Sequence, residues 1–235
     1  MDSIFQAVLV GEKETARVLR TDPLASRITA SRDVLVDSIP HWLYAGDTPL
    51  HLAAAALQLG TVKILLQSGA NPNAENRRGA TPIHYACDPR PSSRGTWKPA
   101  AQAAVIDVLV GHGGNLDHGD RGGATPLHRA VRARSAAAVR QLLALGARTD
   151  CRLRTRASSA LHLAAQSTGA GGTAGALEEQ LEIIALFRQH RADFAAVDTS
   201  GRTPRDWARN QLVAEALAAG SRPAPRPKRP PRRVR

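Results

Sequence analysis

Four histidines stand in one recurring context: His51 in GDTPLHLAA, His84 in GATPIHYAC, His128 in GATPLHRAV and His162 in SSALHLAA. Imidazole can ligate a metal, act as a base near neutrality, or serve as a hydrogen-bonding strut, so a regular row of them raises all three chemistries. Spacing discriminates among them. Successive histidines are 33, 44 and 34 residues apart. One ion needs its nitrogens within about 2.0 to 2.1 Å, whereas packed neighbouring helices lie about 8 to 10 Å apart. The four rings cannot converge, and buried polar groups are normally hydrogen-bonded, so the row predicts a structural role.

A second cluster, His112, Asp117, His118 and Asp120 in GHGGNLDHGD, has metal-ligating residue types without a recognised ligand spacing. It reads as solvated loop, and no metal is expected. Cys87 occupies a small-residue position of a helix and reads as core; Cys151 falls in a hairpin one repeat on, out of bonding reach. Neither has the local His or Asp partner of a nucleophile, and no P-loop, G-x-S-x-G or H-E-x-x-H is present. These absences predict a chain without catalysis or cofactor.

The elements that position the histidines follow from a period of about 33 residues. The longer spacings are 33 plus 11, so alternate copies carry an 11-residue insertion. A second marker keeps phase: Gly69 and Gly146 follow their histidines by 18, Gly113 and Arg191 by 29. Both insertions therefore lie between the histidine and the later glycine position. In Thr48-Pro49-Leu50-His51 the threonine suits an N-cap and the proline the first helical position. LHLAAAAL continues as a short helix of small side chains. TVKILLQSGA reads as a second helix with Val62, Leu65 and Leu66 inward, stopped at Gly69. NPNAENRRG supplies turn formers and predicts a hairpin-like loop to the next unit. No unit buries its own faces, so stacked units must share one core.

These residues resemble the ankyrin-repeat family. The likeness rests on Thr48-Pro49-Leu50-His51, Thr81-Pro82-Ile83-His84 and Thr125-Pro126-Leu127-His128. It rests equally on LLQSGANPN, LVGHGGNLD and LLALGARTD in register with them. It covers about Gly46 to Ala219. The resemblance implies an all-α solenoid of helix-turn-helix units joined by hairpin-like loops, with about five repeats at 46–78, 79–122, 123–155, 156–200 and 201–220. It also implies that the histidine bonds near the start of the first helix and ties adjacent hairpins together. Residues 1–45 read as a degenerate N-terminal capping repeat followed by an inserted helix in SRDVLVDSIPHWLY. In the last copy Arg205 and Asp206 replace leucine and histidine. The fourth copy departs most: Ser158-Ser159-Ala160 interrupts the motif, and Arg191 stands where glycine should stop the second helix. A left-handed arginine costs about 1 kcal/mol or more, so this repeat is expected to be the least stable internal one.

By the same resemblance, partner-binding positions lie on the hairpins and on the concave face of the first helices. They are Arg77, Arg78 and Asp88, then Arg121, Arg129 and Arg132, then Arg154, Arg156 and Gln166, and finally Arg202 and Asn210. Arginine bonds carboxylates in a planar, bidentate fashion, which points to an acidic or phosphorylated protein segment. A solvated, arginine-biased surface is the bland alternative. Trp97, in the first insertion, is a candidate exposed anchor; the second insertion is glycine-rich and reads as a flexible connection.

Formal net charge is +12, but residues 221–235 hold seven basic residues and no acid, leaving about +5 elsewhere. That segment alternates proline with basic residues and reads as a disordered tail. The alternative function is accordingly a nucleic-acid-associated adaptor working through residues 222–235. No apolar run approaches the roughly 20 residues of a spanning helix. Two cysteines and no basic-then-apolar leader predict a reducing, cytoplasmic setting. The expected whole is a monomeric, non-enzymatic scaffold that binds a protein partner.

Overall fold

The protein is described from a computed structural model covering residues 3–36, 41–88, 99–166 and 174–218. Each clear repeat begins as its sequence dictates. Thr48, Thr81 and Thr125 sit in extended backbone at the N-cap, with proline immediately inside the helix. Helices α3 (Pro49–Ala55), α5 (Pro82–Cys87) and α7 (Pro126–Arg132) result, each followed by an outer helix: α4 (Leu59–Gln67), α6 (Pro99–Gly111) and α8 (Ala136–Ala144). Two further pairs follow, α9 (Ala160–Ala165) with α10 (Ala174–Gln189), and α11 (Pro204–Trp207) with α12 (Gln211–Ala218). A pair α1 (Ser3–Val10) and α2 (Glu12–Thr21) precedes them. Inner helices pack on inner helices from α1 through α11, and outer on outer from α2 through α12. The architecture is an all-α solenoid.

Its core is continuous and built from aliphatic side chains: Leu50, Leu65, Ile83, Ile106, Leu109, Leu127 and Leu142 are fully buried. Alanines at the ends of the inner helices, such as Ala53, Ala54, Ala86, Ala130 and Ala164, are equally buried and let neighbouring inner helices approach closely. Val62, Leu65 and Leu66 face inward from α4, and Gly69 follows that helix at φ 81°. The hairpins form a second layer. Gly46, Gly79, Gly123 and Gly201, each five residues before the histidine position, all take positive φ. One backbone bond joins each hairpin to the next: Arg77 N–H to the Ala45 carbonyl, Arg121 to Arg78, Arg154 to Gly122 and Thr199 to Arg156. Asn76, Asp120 and Asp198 shape three of these turns, their side chains accepting from the backbone N–H groups two and four residues on.

One expectation is corrected. Where SRDVLVDSIPHWLY predicts an inserted helix, the chain forms an antiparallel ribbon, β1 (Val34–Val36) with β2 (His41–Leu43). Val36 and Leu43 are buried while Leu35 and Trp42 are about half exposed, which is the period-two pattern of a strand. Val-Leu-Val is also better suited to extended backbone than to helix. Asp33 pins the ribbon by accepting from the Ala45 N–H at 2.9 Å and pairing with Arg77.

The insertions fall mostly on residues 89–98 and 167–173, outside the described residues, as do Trp97 and the 221–235 tail. What the insertions require of their flanks is visible. In the uninterrupted repeats the carbonyls of Ala53 and Ala130, near the end of the inner helix, accept from the backbone N–H of Gln58 and Ser135, seven residues past the histidine. With 11 residues inserted, the equivalent positions are Gln102 and Gln180. Both use their side chains instead: the Gln102 amide donates to Ala86 at 2.8 Å and the Gln180 amide to Ala164 at 2.7 Å. Both glutamines are buried, and Gln102 also accepts from Ser135 at 2.6 Å, binding the second repeat to the third.

The fourth repeat combines several departures. Ala157 takes the place of the hairpin glycine at φ 49°, Arg191 follows the outer helix at φ 53°, and Arg154 stands where the turn-shaping Asn or Asp should be. Left-handed residues also occur at Leu57 and Arg134, between the helices of the first and third repeats. We expect Ala157→Gly and Arg191→Gly each to stabilise the protein by about 1 kcal/mol. Hydrogen exchange in the wild-type chain is expected to be faster over 157–192 than over the third repeat; equal protection would contradict this. Gln102→Leu is expected to cost about 1 to 3 kcal/mol by stranding the Ala86 carbonyl. An unchanged denaturation midpoint would show that carbonyl to be satisfied otherwise.

Candidate partner-binding face

The four histidines share one device, completed in three of the four copies. Nδ1 of each ring accepts from the backbone N–H of the capping residue: Thr48 at 3.0 Å, Thr81 at 3.1 Å, Thr125 at 3.3 Å and Ser159 at 3.2 Å. The capping hydroxyl lies 2.9 Å from the same nitrogen in every copy. Because Nδ1 accepts, the ring proton sits on Nε2, which donates to a carbonyl of the following hairpin. His51 reaches Ala80 at 3.0 Å, His84 reaches Ala124 at 2.9 Å and His162 reaches Arg202 at 3.1 Å. His128 turns toward Ser158 without completing the bond, and the Ser158 hydroxyl is likewise buried without a partner among the described residues. The weak link falls at the entrance to the fourth repeat.

Burial disfavours the charged ring, holding His84 down from 6.5 to about 3 and His128 to about 4, with His162 also lowered. In the last repeat Asp206 takes over the capping half, accepting from Thr203 N–H at 2.8 Å and its hydroxyl at 2.7 Å. The histidines are thus consumed by the scaffold. The cluster in GHGGNLDHGD is likewise dispersed among other partners. His112 bonds Val108, His118 bonds Gly79 and pairs with Glu75, Asp117 accepts from Arg148 N–H, and Asp120 holds Arg129. Among the described residues no group of three or more His, Cys, Asp or Glu side chains could hold a metal ion. Cys87 is fully buried and its thiol pushed up by desolvation, the reverse of what a nucleophile needs.

Two recesses open on the face made by hairpins and inner helices. The first, about 350 Å³, is bounded by Trp42, Tyr44, Arg78, Asp88, Arg129 and Arg132, with Tyr85 and Asp120 at its base. Arg78 lies 4.0 Å over the Tyr44 ring. Arg129 bonds Asp120 at 2.9 Å, and Arg132 bonds Asp88 at 2.9 Å. Beneath them the buried Asp47 carboxylate accepts from Tyr85 at 2.7 Å, Asn76 at 2.8 Å and the Tyr44 N–H at 2.6 Å. The second recess, about 390 Å³, is lined by Arg156, Gln166, Arg202, Asp206, Trp207 and Arg209. Arg202 and Trp207 both bond Asp198, at 3.1 and 3.0 Å, and the guanidinium sits 5.4 Å from the Trp207 ring. Backbone donors from Arg202 and Ser200 hold the Asp198 carboxyl down to about 2.

The structure therefore brings Arg78, Asp88, Arg129 and Arg132 together, and separately Arg156, Gln166 and Arg202. Arg77 is instead engaged with Asp33, while the Arg121 and Arg154 backbones join hairpins and Asn210 caps α12 through Leu212 N–H. Sequence reasoning missed Trp42, Tyr44, Tyr85, Trp207 and Arg209. A signal for two of them existed: the residue after each histidine position reads Leu52, Tyr85, Arg129, Leu163 and Trp207, and the polar or aromatic ones line the recesses.

Stacked helix pairs joined by glycine-turned hairpins and tied by a capping histidine define a solenoid of interaction repeats. The family model for the ankyrin repeat matches residues 45–77 and 122–154. The chain contains ankyrin repeats at these two stretches. Among curated relatives, the neurogenic locus notch homolog protein 4 of Homo sapiens is 48% identical over 46 residues, 20% of this chain and 2% of that protein. Rabankyrin-5 of Homo sapiens is 56% identical over 41 residues, 17% of this chain and 4% of that one. The NF-kappa-B inhibitor alpha of Rattus norvegicus is 46% identical over 41 residues, 17% and 13% respectively. The chain thus spans only a small part of the relatives it matches. Ankyrin repeats are generally non-enzymatic modules that mediate protein–protein interaction. Among the described residues no helix is long and apolar enough to cross a membrane.

The lowered histidine values carry a sign. Between pH 6.5 and the folded values the unfolded chain binds more protons, so stability is full above 6.5 and falls as the solution is acidified. Between pH 6.5 and 5, above most carboxylate titration, the slope each such histidine contributes rises from about 0.7 toward about 1.4 kcal/mol per pH unit. Urea unfolding across that range checks it; a flat profile would mean that the rings are not held neutral.

Proposed function

We propose that this chain is a non-enzymatic cytoplasmic scaffold that binds a protein partner, through an acidic segment, on its hairpin and inner-helix face. The observation that supports this most directly is the coincidence of the two recesses with positions that vary between repeats. Arg78, Arg129 and Arg132 gather beside Trp42 and Tyr44, and Arg156, Arg202 and Arg209 beside Trp207. Arginine and aromatic side chains are those enriched where partners bind tightly. The scaffold residues beneath are fixed by backbone bonds, so both recesses are pre-formed and little ordering is required on association. The adaptor reading, with nucleic acid held by residues 222–235, draws only on composition, since that segment lies outside the described residues.

Partners crosslinked to the full chain in cells can be purified and their affinity measured. Arg78→Glu, Arg132→Glu and Arg156→Glu together are expected to weaken binding more than about tenfold, the loss of at least 1.4 kcal/mol. Arg140→Glu, on an outer helix, should leave it within about twofold, the scale of a surface charge. Unchanged affinity in the triple variant would reject the face. Loss of binding on deleting residues 222–235 would instead move the activity to the tail.

A further inference from the structure

The first recess holds an asymmetry among its charges. Three guanidiniums, of Arg78, Arg129 and Arg132, face two carboxylates, of Asp88 and Asp120. The two acids are held very differently. Asp120 accepts from the N–H groups of Gly122 and Ala124 at 2.9 and 3.0 Å as well as from Arg129, so it is part of its turn and cannot leave without unmaking it. Asp88 is the residue on which α5 ends. Among the described residues its carboxylate meets only guanidiniums, Arg132 at 2.9 Å and Arg129 at 3.9 Å. Among the described residues Arg129 keeps a buried Nε without a partner, and Arg78 has an aromatic face beneath it but no acid against it. Among the described residues the fixed half of the recess is therefore cationic and under-satisfied, and its one exchangeable anion is a side chain at a helix end.

We infer that this recess is a receptor for a carboxylate of the partner's segment, and that Asp88 occupies that carboxylate's place in the free protein. This rests on the reading of the hairpin and inner-helix face as the binding face. Asp88 shows the chemistry that fits: a carboxylate accepting from Arg132 beside Arg129, with Arg78 positioned at the same opening. An incoming Glu or Asp displaces Asp88 and takes its bonds to Arg132, while the neighbouring residue of the segment lies against Trp42, which is 43% exposed. Asp88 then acts as an internal competitor that lowers affinity for weakly acidic segments and selects those able to replace it.

The probe is a fluorescein-labelled peptide alternating glutamate with serine, titrated into the full chain at fixed salt, with a phosphoserine peptide of equal net charge in parallel. Asp88→Asn is expected to tighten the glutamate peptide roughly five- to tenfold, about one charge-assisted bond. Asp107→Asn, which adds the same charge on an outer helix, should change it less than about twofold. Adding Arg132→Ala to Asp88→Asn should abolish the gain. Asp88→Ser, with its melting temperature recorded, guards against a folding defect of the first variant. No binding by any form, no gain from either Asp88 substitution, a gain that survives loss of Arg132, or a larger gain for the phosphoserine peptide would each overturn the inference. A partner that still depends on Arg156 and Arg202 while ignoring Asp88 would overturn it alone. Independence from all of these would remove the binding face as well.

Discussion

A pair of short helices cannot bury both of its faces, so every repeat depends on how firmly it is joined to the next. The histidine makes that joint. Its Nδ1 satisfies an N–H orphaned at the start of the inner helix, and its Nε2 satisfies a carbonyl on the following hairpin. One uncharged ring thereby fixes the helix start, the ring tautomer and the distance between repeats. The joint works only while the ring is neutral, because a proton on Nδ1 would face the N–H it now accepts from. Burial enforces that neutrality at His84 and His128.

The last described repeat exposes the logic by omission. Asp206 keeps the capping half of the device and lacks the reach for the other half, and no helix pair follows α12 among the described residues to be reached. At His128 the second half is incomplete although a repeat does follow. Around that joint lie Ala157 in a glycine's conformation and Arg154 in place of a turn-shaping acid. Arg152 compensates in part, donating to the carbonyls of Ala157 and Val197 and so bracing one hairpin against the next. The joints of the solenoid are therefore uneven, and the incomplete one lies between the two recesses.

Much of this was legible in the sequence because it depends on local chemistry repeated in phase. Thr-Pro before Leu-His marks a helix start whatever surrounds it, and Gly69 and Gly146 mark stops. The 11-residue insertions could be counted from the histidines alone. The consequences that need two distant segments were not legible. Nothing near Gln102 announces that it caps Ala86, although its alignment with Gln180 at 18 residues past a histidine was available. The ribbon at Val34–Leu43 failed as a helix because period two over three residues is too short to recognise without its partner strand. Asp33 reaching Arg77, and Trp42 reaching the recess, depend on that ribbon.

The same limit applies to the arginines. Read along the chain they form a row of positive charge, but in the fold half of the eight are already engaged in ion pairs among the described residues. Arg77 pairs with Asp33, Arg129 with Asp120, Arg132 with Asp88 and Arg202 with Asp198. The more exposed of these pairs, those of Arg77 and Arg132, add little stability, about 0 to 1 kcal/mol each. Their larger effect is to hold long side chains in one geometry, removing entropy that a partner would otherwise have to overcome. Arg78, Arg121, Arg154, Arg156 and Arg209 carry no ion pair among the described residues and supply the uncompensated charge. A partner therefore meets few free cations in fixed surroundings, so its acidic groups must match positions and not merely sign.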